Sequence, residues 1–249
     1  MNPFRPTFTV CSYNIWSTFR WPERREALRA FARIHRPDIL CLQELQSDSR
    51  LVLDETLAET HARVNDSFEG WAREGNIYWN KDLFEAKEFG VVDIGMIETL
   101  RRLFWVRLAL RDGSGRSLLV STAHYTWPGH PDLVASGKNA RIPQAHATLE
   151  ALARLRKSDE PQLFMGDLND SELIVRILRE GGLVDCFEAL GRSSRATWPA
   201  MPTEKGAPTT LDWMFHVGSL KVRSAEVVDF FIGELAPSDH KPVLASYQF

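Results

Sequence analysis

Cysteine is scarce: 249 residues hold three, Cys11, Cys41 and Cys186. The number is odd and no two form a C-x-x-C pair. Cys11 and Cys41 lie inside apolar runs, where a free thiol behaves as a small core residue. This usage suits a reducing compartment. Long apolar runs are missing as well, since none approaches the ~20 residues that span a bilayer. Met1 to Phe8 lacks the basic-then-apolar pattern of a signal peptide. The expected location is therefore the cytoplasm. Excess charge of one sign is also lacking, because Lys+Arg 30 against Asp+Glu 33 leaves a net charge of -3. That argues against a histone-like polybasic coat on nucleic acid. It leaves a nuclease open, because local patches matter more than the total. No G-x-x-x-x-G-K-S/T loop occurs, so nucleotide-driven phosphoryl transfer is not indicated. H-E-x-x-H and G-x-S-x-G are missing too. There is no internal repeat, low-complexity tract or long linker.

What is present is an ordinary globular composition, 44% hydrophobic and 25% charged. A chain of this length buries roughly 75% of its unfolded surface and needs no disulfide or structural metal to fold. Length alone allows one domain or two. Short β-rich apolar runs predict strands at Phe8–Tyr13 and Asp38–Gln43. Further strands are expected at Gly75–Trp79, Phe89–Ile94, Phe104–Leu110, Ser117–Thr122, Gln162–Met165, Trp213–Val217, Ala225–Phe231 and Pro242–Phe249. Asp112-Gly113-Ser114-Gly115 between two apolar runs signals a hairpin. Helical spacing predicts helices over Glu23–His35, Leu51–Ala62, Arg141–Arg156 and Glu172–Glu180, the last ended by Gly181-Gly182. The order is not a clean βαβ alternation, so a purely parallel sheet is not expected. Sheets packed together with helices outside are expected.

The ends of these runs carry the chemistry. Phe8–Tyr13 stops at Asn14, Asp38–Gln43 at Glu44, Ser117–Ala123 at His124, and Gln162–Gly166 at Asp167 with Asn169 two residues on. In reverse order, Asp212 precedes Trp213 and Asp239-His240 precedes Pro242. If these groups meet, the first four strands arrive at the site and the last two leave it. That requires mixed sheets. Each residue alone has a bland reading as a turn, cap or solvated acid, and only the set carries meaning. Glu44, Asp167, Asp239 and Asn14 are hard oxygen donors that suit Mg²⁺ or Mn²⁺ better than Zn²⁺. His124 and His240 can donate to an anion. The combination points to metal-assisted phosphoester hydrolysis.

The pieces Ser12-Tyr13-Asn14-Ile15, Pro37 to Glu44, Ser121-Thr122-Ala123-His124, Gly166-Asp167-Leu168-Asn169, Leu211-Asp212-Trp213 and Ser238 to Pro242 resemble the endonuclease/exonuclease/phosphatase superfamily of deoxyribonuclease-like hydrolases. The resemblance covers residues 12 to 242. It implies an α/β fold: a two-sheet, four-layer sandwich with mixed, largely antiparallel sheets, helices on the outer faces and the site at one rim. It also implies roles. Glu44 would be the main ligand of a Mg²⁺ (or Mn²⁺) ion, with Asn14 and Asp239 near it. Asp167 would deprotonate the attacking water, and Asn169 would hold that water or the phosphate. His240 would donate to the non-bridging oxygens, oriented by Asp212, and His124 would be a second phosphate donor. Arg141 would contact phosphate from the helix after the His124 strand. The acid that apurinic endonucleases place two residues after the Asn is Trp16 here, which argues against abasic-site repair.

A nuclease or other phosphodiesterase is the preferred reading, with nucleic acid among the candidate partners and no obligate protein partner evident. The rivals are a phosphomonoesterase, a sphingomyelinase-like lipid phosphodiesterase and a binding module that kept the fold. Trp16, Trp21, Trp127 and Trp198 could stack bases, and Arg101-Arg102 with Arg107 could track a backbone. Phe19 to Pro22 and Met96-Ile97 are the faint lipid-facing segments. A site drawn from both ends of the chain favours one domain over residues 1–249.

Overall fold

A computed structural model describes residues 6–201 and 206–249. Residues 1–5, part of the polar N-terminal segment, and residues 202–205 of the Ser193–Thr210 loop lie outside it. The elements are β1 (Thr7–Asn14), α1 (Arg25–His35), β2 (Ile39–Gln43), α2 (Ser47–Leu57), β3 (His61–Arg63), α3 (Gly70–Arg73), β4 (Gly75–Asn80), β5 (Phe84–Val92), β6 (Leu103–Leu110), β7 (Ser117–His124), α4 (Pro131–Ser136), α5 (Arg141–Leu155), β8 (Gln162–Asp167), α6 (Leu173–Glu180), β9 (Val184–Asp185), β10 (Asp212–Val217), β11 (Lys221–Val227) and β12 (Val243–Gln248). They form two six-stranded sheets, ordered β11-β12-β1-β2-β4-β3 and β5-β6-β7-β8-β10-β9.

Each sheet has one parallel pair at its centre, β1 with β2 and β7 with β8. All other pairings among the described residues are antiparallel. The central strands are apolar on both faces, as strands covered on both sides must be. Strand alternation sorts those faces. Ile39 and Cys41 of β2 join Val10, Val120 and Met165 between the sheets. Leu40 and Leu42 point the other way, onto Leu28 and Phe31 of α1 and Leu53 of α2. In β8, Leu163 and Met165 face the inter-sheet core. Phe164 faces Ala145 and Leu152 of α5 and Ile174 and Leu178 of α6. The result is the four-layer sandwich expected from the sequence, with all three cysteines free and buried.

Several boundaries differ; the strand expected over Phe89–Ile94 is β5, which runs from Phe84 to Val92. The second helix starts at Ser47, not Leu51, because Gln46 and Ser49 cap it reciprocally. It ends at Leu57, and residues 61–63 form the edge strand β3 instead of its last turn. The strand expected over 225–231 is β11, which starts at Lys221 and stops at Val227. Among the described residues, no helix is long and apolar enough to cross a membrane.

This topology positions the site. Parallel β1 and β2 end together with Asn14 opposite Gln43, and parallel β7 and β8 end with His124 opposite Asp167. β10 runs antiparallel to β8 and begins with Asp212 opposite Asp167. β12 runs antiparallel to β1 just after Asp239-His240. Four strands arrive and two leave, as the strand-end residues require.

Candidate active site

Asn14 and Gln43 of the first sheet reach across to the second at this end. The Asn14 amide nitrogen donates to Glu44 Oε1 and to Asp167 Oδ2, both at 3.0 Å. Its orientation is fixed from both sides. The Trp16 backbone N–H donates to Asn14 Oδ1 at 2.9 Å, so the oxygen must face that donor and the NH₂ must face the carboxylates. The second crossing is Gln43, whose amide nitrogen donates to Thr122 Oγ1 at 2.7 Å and to Ser12 Oγ at 3.3 Å.

Asp167 is 1% exposed. Its Oδ1 accepts the Asn169 backbone N–H at 2.9 Å. Its Oδ2 lies 3.4 Å from His124 Nε2 and 3.7 Å from His240 Nε2. These separations are too long for direct hydrogen bonds. Both ring nitrogens converge on the same carboxylate oxygen without bonding to it directly. His240 Nδ1 meets Asp212 Oδ2 at 2.8 Å, and the Ser238 hydroxyl accepts the His240 backbone N–H. The carboxylate thereby fixes the tautomer and turns Nε2 toward Asp167. Burial opposes a charge on His240, but Asp212 and then Asp167 override it and hold the ring well above its ordinary pKa. His124 is the opposite case. Burial, Arg101 and His240 hold it well below. Its Nδ1 is buried without a partner, so the single proton of the neutral ring belongs on Nε2, facing the carboxylates. Burial pushes Asp167 up to about 7 against the opposing pull of His240.

The remaining predicted residues sit close by in different roles. Glu44 follows β2 directly, with φ of 54°, a left-handed conformation uncommon for a side-chain-bearing residue. Its Oε1 is also 3.9 Å from His124 Nε2. Asp239 accepts the Trp198 indole N–H at 3.2 Å and the Ser238 hydroxyl at 3.3 Å. Asn169, with φ of 50°, donates its amide to the Tyr125 carbonyl at 2.9 Å. Arg141, the expected phosphate contact, has partners within the protein. Its guanidinium donates to the Asn169 carbonyl and to Asn139 Oδ1 and lies 3.8 Å from Asp170. Those bonds hold the loop that carries Asn169. The basic cluster dissolves likewise. Arg107 is 3% exposed and paired with Glu160 at the opposite end of β8, while Arg101 pairs with Glu74 and Glu98.

The sequence reading missed three supports. Arg24 is fully buried. Its guanidinium donates to the carbonyls of Phe19 (2.8 Å), Ile15 (3.0 Å), Trp16 (3.1 Å), Ser17 (3.2 Å) and Pro237. It thus ties the loop after Asn14 to the loop before Asp239-His240. Thr197 Oγ1 accepts the Leu211 and Asp212 N–H groups, and the Thr197 carbonyl accepts the Lys241 N–H. Trp198, expected as a stacking residue, spends its indole N–H on Asp239. The one available signal for Arg24 was an arginine on the apolar face of a strongly amphipathic helix.

The Gly-Asp-x-Asn piece has a steric cause. Gly166 has φ of 150°, and a Cβ there would lie 1.9 Å from the Ala123 carbonyl oxygen of the adjacent strand. Gly166→Ala is expected to destabilise the protein by roughly 3 kcal/mol or more by forcing β7 and β8 apart. It should also displace His124 and Asp167. Denaturant unfolding measures the first, and an unchanged midpoint would remove the steric argument.

The model of the Endonuclease/Exonuclease/phosphatase family matches residues 11–240. The chain belongs to that family. Members of the family are metal-dependent phosphoester hydrolases, and this chain is an enzyme of that class. The solved structures it resembles include an endonuclease/exonuclease/phosphatase family protein of Bacteroides thetaiotaomicron, with TM-score 0.81, 20% identity and 99% of both chains covered. TDP2 of D. rerio in complex with a single-strand DNA product matches with TM-score 0.80 and 18% identity over 97% of this chain and 98% of that one. A mannosyl-6-phosphatase of B. thetaiotaomicron matches with TM-score 0.80 and 20% identity over 97% of this chain and 100% of that one. These likenesses show the shared fold. No curated protein matches by sequence.

Proposed function

We propose that the chain is a Mg²⁺-dependent phosphodiesterase of the nuclease type, a single cytoplasmic domain that hydrolyses its substrate by in-line attack of water. The observation that carries this is the convergence of His124 Nε2 and His240 Nε2 on Asp167 Oδ2, with Glu44 bridged to the same carboxylate through Asn14.

The donor set fits a hard divalent cation. Asp167, Asp212 and His240 lie close enough to share an ion, but the Asp212 oxygen facing Nδ1 is already taken by a hydrogen bond. Glu44 and Asp239 are the better holders. Both lie at the rim, outside that dyad, and Glu44 Oε2 has no hydrogen-bond partner among the described residues. Asn14 assists through its grip on Glu44, because its oxygen is held by Trp16. When bound, the cation neutralises phosphate charge and stabilises the leaving oxygen.

The chain's own residues supply the rest. Asp167 takes a proton from the attacking water. Asn169 Oδ1 orients that water, its amide anchored on Tyr125. Protonated His240 and neutral His124 donate their Nε2 protons to non-bridging oxygens as charge builds. Asp212 keeps His240 charged and aimed. Asn14 ends a strand of one sheet and His124 and Asp167 end strands of the other, so the reaction is held by rigid elements.

Phosphomonoester hydrolysis is the second reading, because the mannosyl-6-phosphatase and TDP2 likenesses are equally strong. One panel decides: single- and double-stranded DNA, RNA, sphingomyelin, inositol phosphates and a generic monoester, each with Mg²⁺. Diester cleavage is expected to vanish with a chelator and return with Mg²⁺ or Mn²⁺. Activity that survives chelation would refute the metal mechanism, and monoester cleavage alone would select the second reading.

A further inference from the structure

Beside Glu44 lies a cleft of about 370 Å³ that the proposed chemistry does not use. One wall is the loop after β1, with Ser17, Thr18 and Trp21. The other is the start of α2 with Gln46, Ser47 and Asp48. The two walls meet at the site, where the Ser17 backbone N–H donates to the Glu44 carbonyl at 3.1 Å. The cleft thus adjoins the residue placed to hold the cation.

The first wall is built at a cost. Trp16, Ser17 and Arg20 all have positive φ, 59°, 43° and 50°. Three non-glycine residues in this region persist only where their surroundings over-determine them. Here the surroundings are the buried Arg24 guanidinium on the carbonyls of residues 15, 16, 17 and 19. Its carbon also lies 5.0 Å from the Trp16 ring centroid and 5.6 Å from that of Trp21. The wall is rigid before anything binds, so little ordering cost falls on the ligand.

Charge and lining select the occupant. Asp48 and Glu69 bring carboxylates to the cleft, and its arginine, Arg73, is paired with Glu69 at 2.7 Å. A further phosphate would meet net repulsion. The Ser17, Thr18 and Ser47 hydroxyls and the Asp48 carboxylate make no side-chain hydrogen bonds among the described residues. They are donors and acceptors for ring N–H, exocyclic amine or sugar hydroxyl groups, and Trp21 supplies an apolar flank. An acyl chain would leave these groups unmatched. The volume is at the small end of ligand sites, nucleoside-sized.

We propose that this cleft binds the nucleoside adjoining the scissile phosphate. The proposal rests on the phosphodiesterase reading above and names the part of the substrate that confers affinity. The test is steady-state hydrolysis of a short single-stranded deoxyoligonucleotide with Mg²⁺ by the wild type, Trp21→Ala and Ser47→Phe. Inhibition by deoxynucleoside 5′- and 3′-monophosphates, deoxyribose 5-phosphate and inorganic phosphate is measured in parallel. Ser47 is exposed at the first turn of α2, so its ring obstructs the cleft without entering the core, should Trp21→Ala fail to fold. Both variants are expected to raise KM about tenfold with kcat nearly unchanged, Trp21→Ala through one lost ring contact and Ser47→Phe through obstruction. One nucleoside monophosphate should inhibit the wild type more strongly than deoxyribose 5-phosphate or phosphate and lose that advantage in Ser47→Phe, while inhibition by phosphate stays the same. Oligonucleotide cleavage with an unmoved KM in a folded variant overturns the subsite and leaves the phosphodiesterase reading standing. A wild type that cleaves monoesters and no oligonucleotide overturns both.

Discussion

Asp167→Asn is expected to lower turnover at least about a hundredfold while the protein stays folded, because positioned general-base help contributes about 10²–10⁴-fold. The amide keeps the shape of the carboxylate but cannot take a proton from water. Steady-state kinetics with Mg²⁺ measures this, and near-normal turnover would remove Asp167 as the base. The same variant has a second, independent signature in metal-free protein. Asp167 titrates at about 7 in the fold, raised chiefly by burial, against about 3.9 in an unfolded chain. The folded state therefore holds this proton to higher pH than the unfolded state does. The stability it contributes is present below about pH 4 and lost as pH rises to about 7. His240, also raised, adds a loss in the same direction above about pH 6.5. Asn does not titrate. In the presence of a chelator, the melting temperature of Asp167→Asn relative to wild type is thus expected to climb from pH 4 to pH 8. A flat difference would mean that burial does not penalise the charged carboxylate.

That penalty shows what the acids do. Asp167 and Asp212 are each 1% exposed, and beside Glu44 and Asp239 they form a concentration of negative charge that His240 and Arg24 together do not balance. A fold tuned only for stability would not keep it. A site that receives a cation would.

The strand-end residues were legible because backbone geometry makes them so. A buried strand needs an unbroken apolar run, and the first polar residue after it marks where the strand leaves the core. Asn14, Glu44, His124 and Asp167 each stood at such a point, and the reversed order at Asp212 and Asp239 gave the direction of β10 and β12. The partition into two sheets was legible only as a need for mixed pairing. The edge strands β3 and β9, of three and two residues, are too short to show a period. Roles that depend on partners distant in sequence were not legible. Nothing near Arg141 says that its guanidinium meets the Asn169 carbonyl 28 residues away, and nothing near Trp198 says that its indole meets Asp239 across 41. Arg107 read as surface charge because its partner Glu160 is 53 residues on.

Arg24 is the clearest such case, and its replacement carries the largest expected loss of stability. Burial lowers its pKa to about 10, so it remains a cation at neutral pH. Arg24→Met keeps the length of the side chain and removes every donor. Five carbonyls from two loops would then lose their partner, one of them 213 residues away in sequence, and breaking one side of such a buried charged network costs on the order of 3–5 kcal/mol. That is a large fraction of the ~5–15 kcal/mol that holds a typical domain together. Arg24→Lys keeps the charge, but three donors on one nitrogen cannot reach carbonyls that surround a planar fork, so an intermediate loss is expected. Catalysis should suffer beyond stability. The strained residues 16, 17 and 20 relax once the clamp is gone, and Asn14 depends on the Trp16 N–H to face its amide toward Glu44 and Asp167. Turnover of the folded fraction of Arg24→Lys, measured well below its melting temperature, should fall at least about tenfold, as for a displaced catalytic group. If both variants unfold within about 1 kcal/mol of wild type and turn over normally, the two loops are held by their own packing and the clamp is incidental.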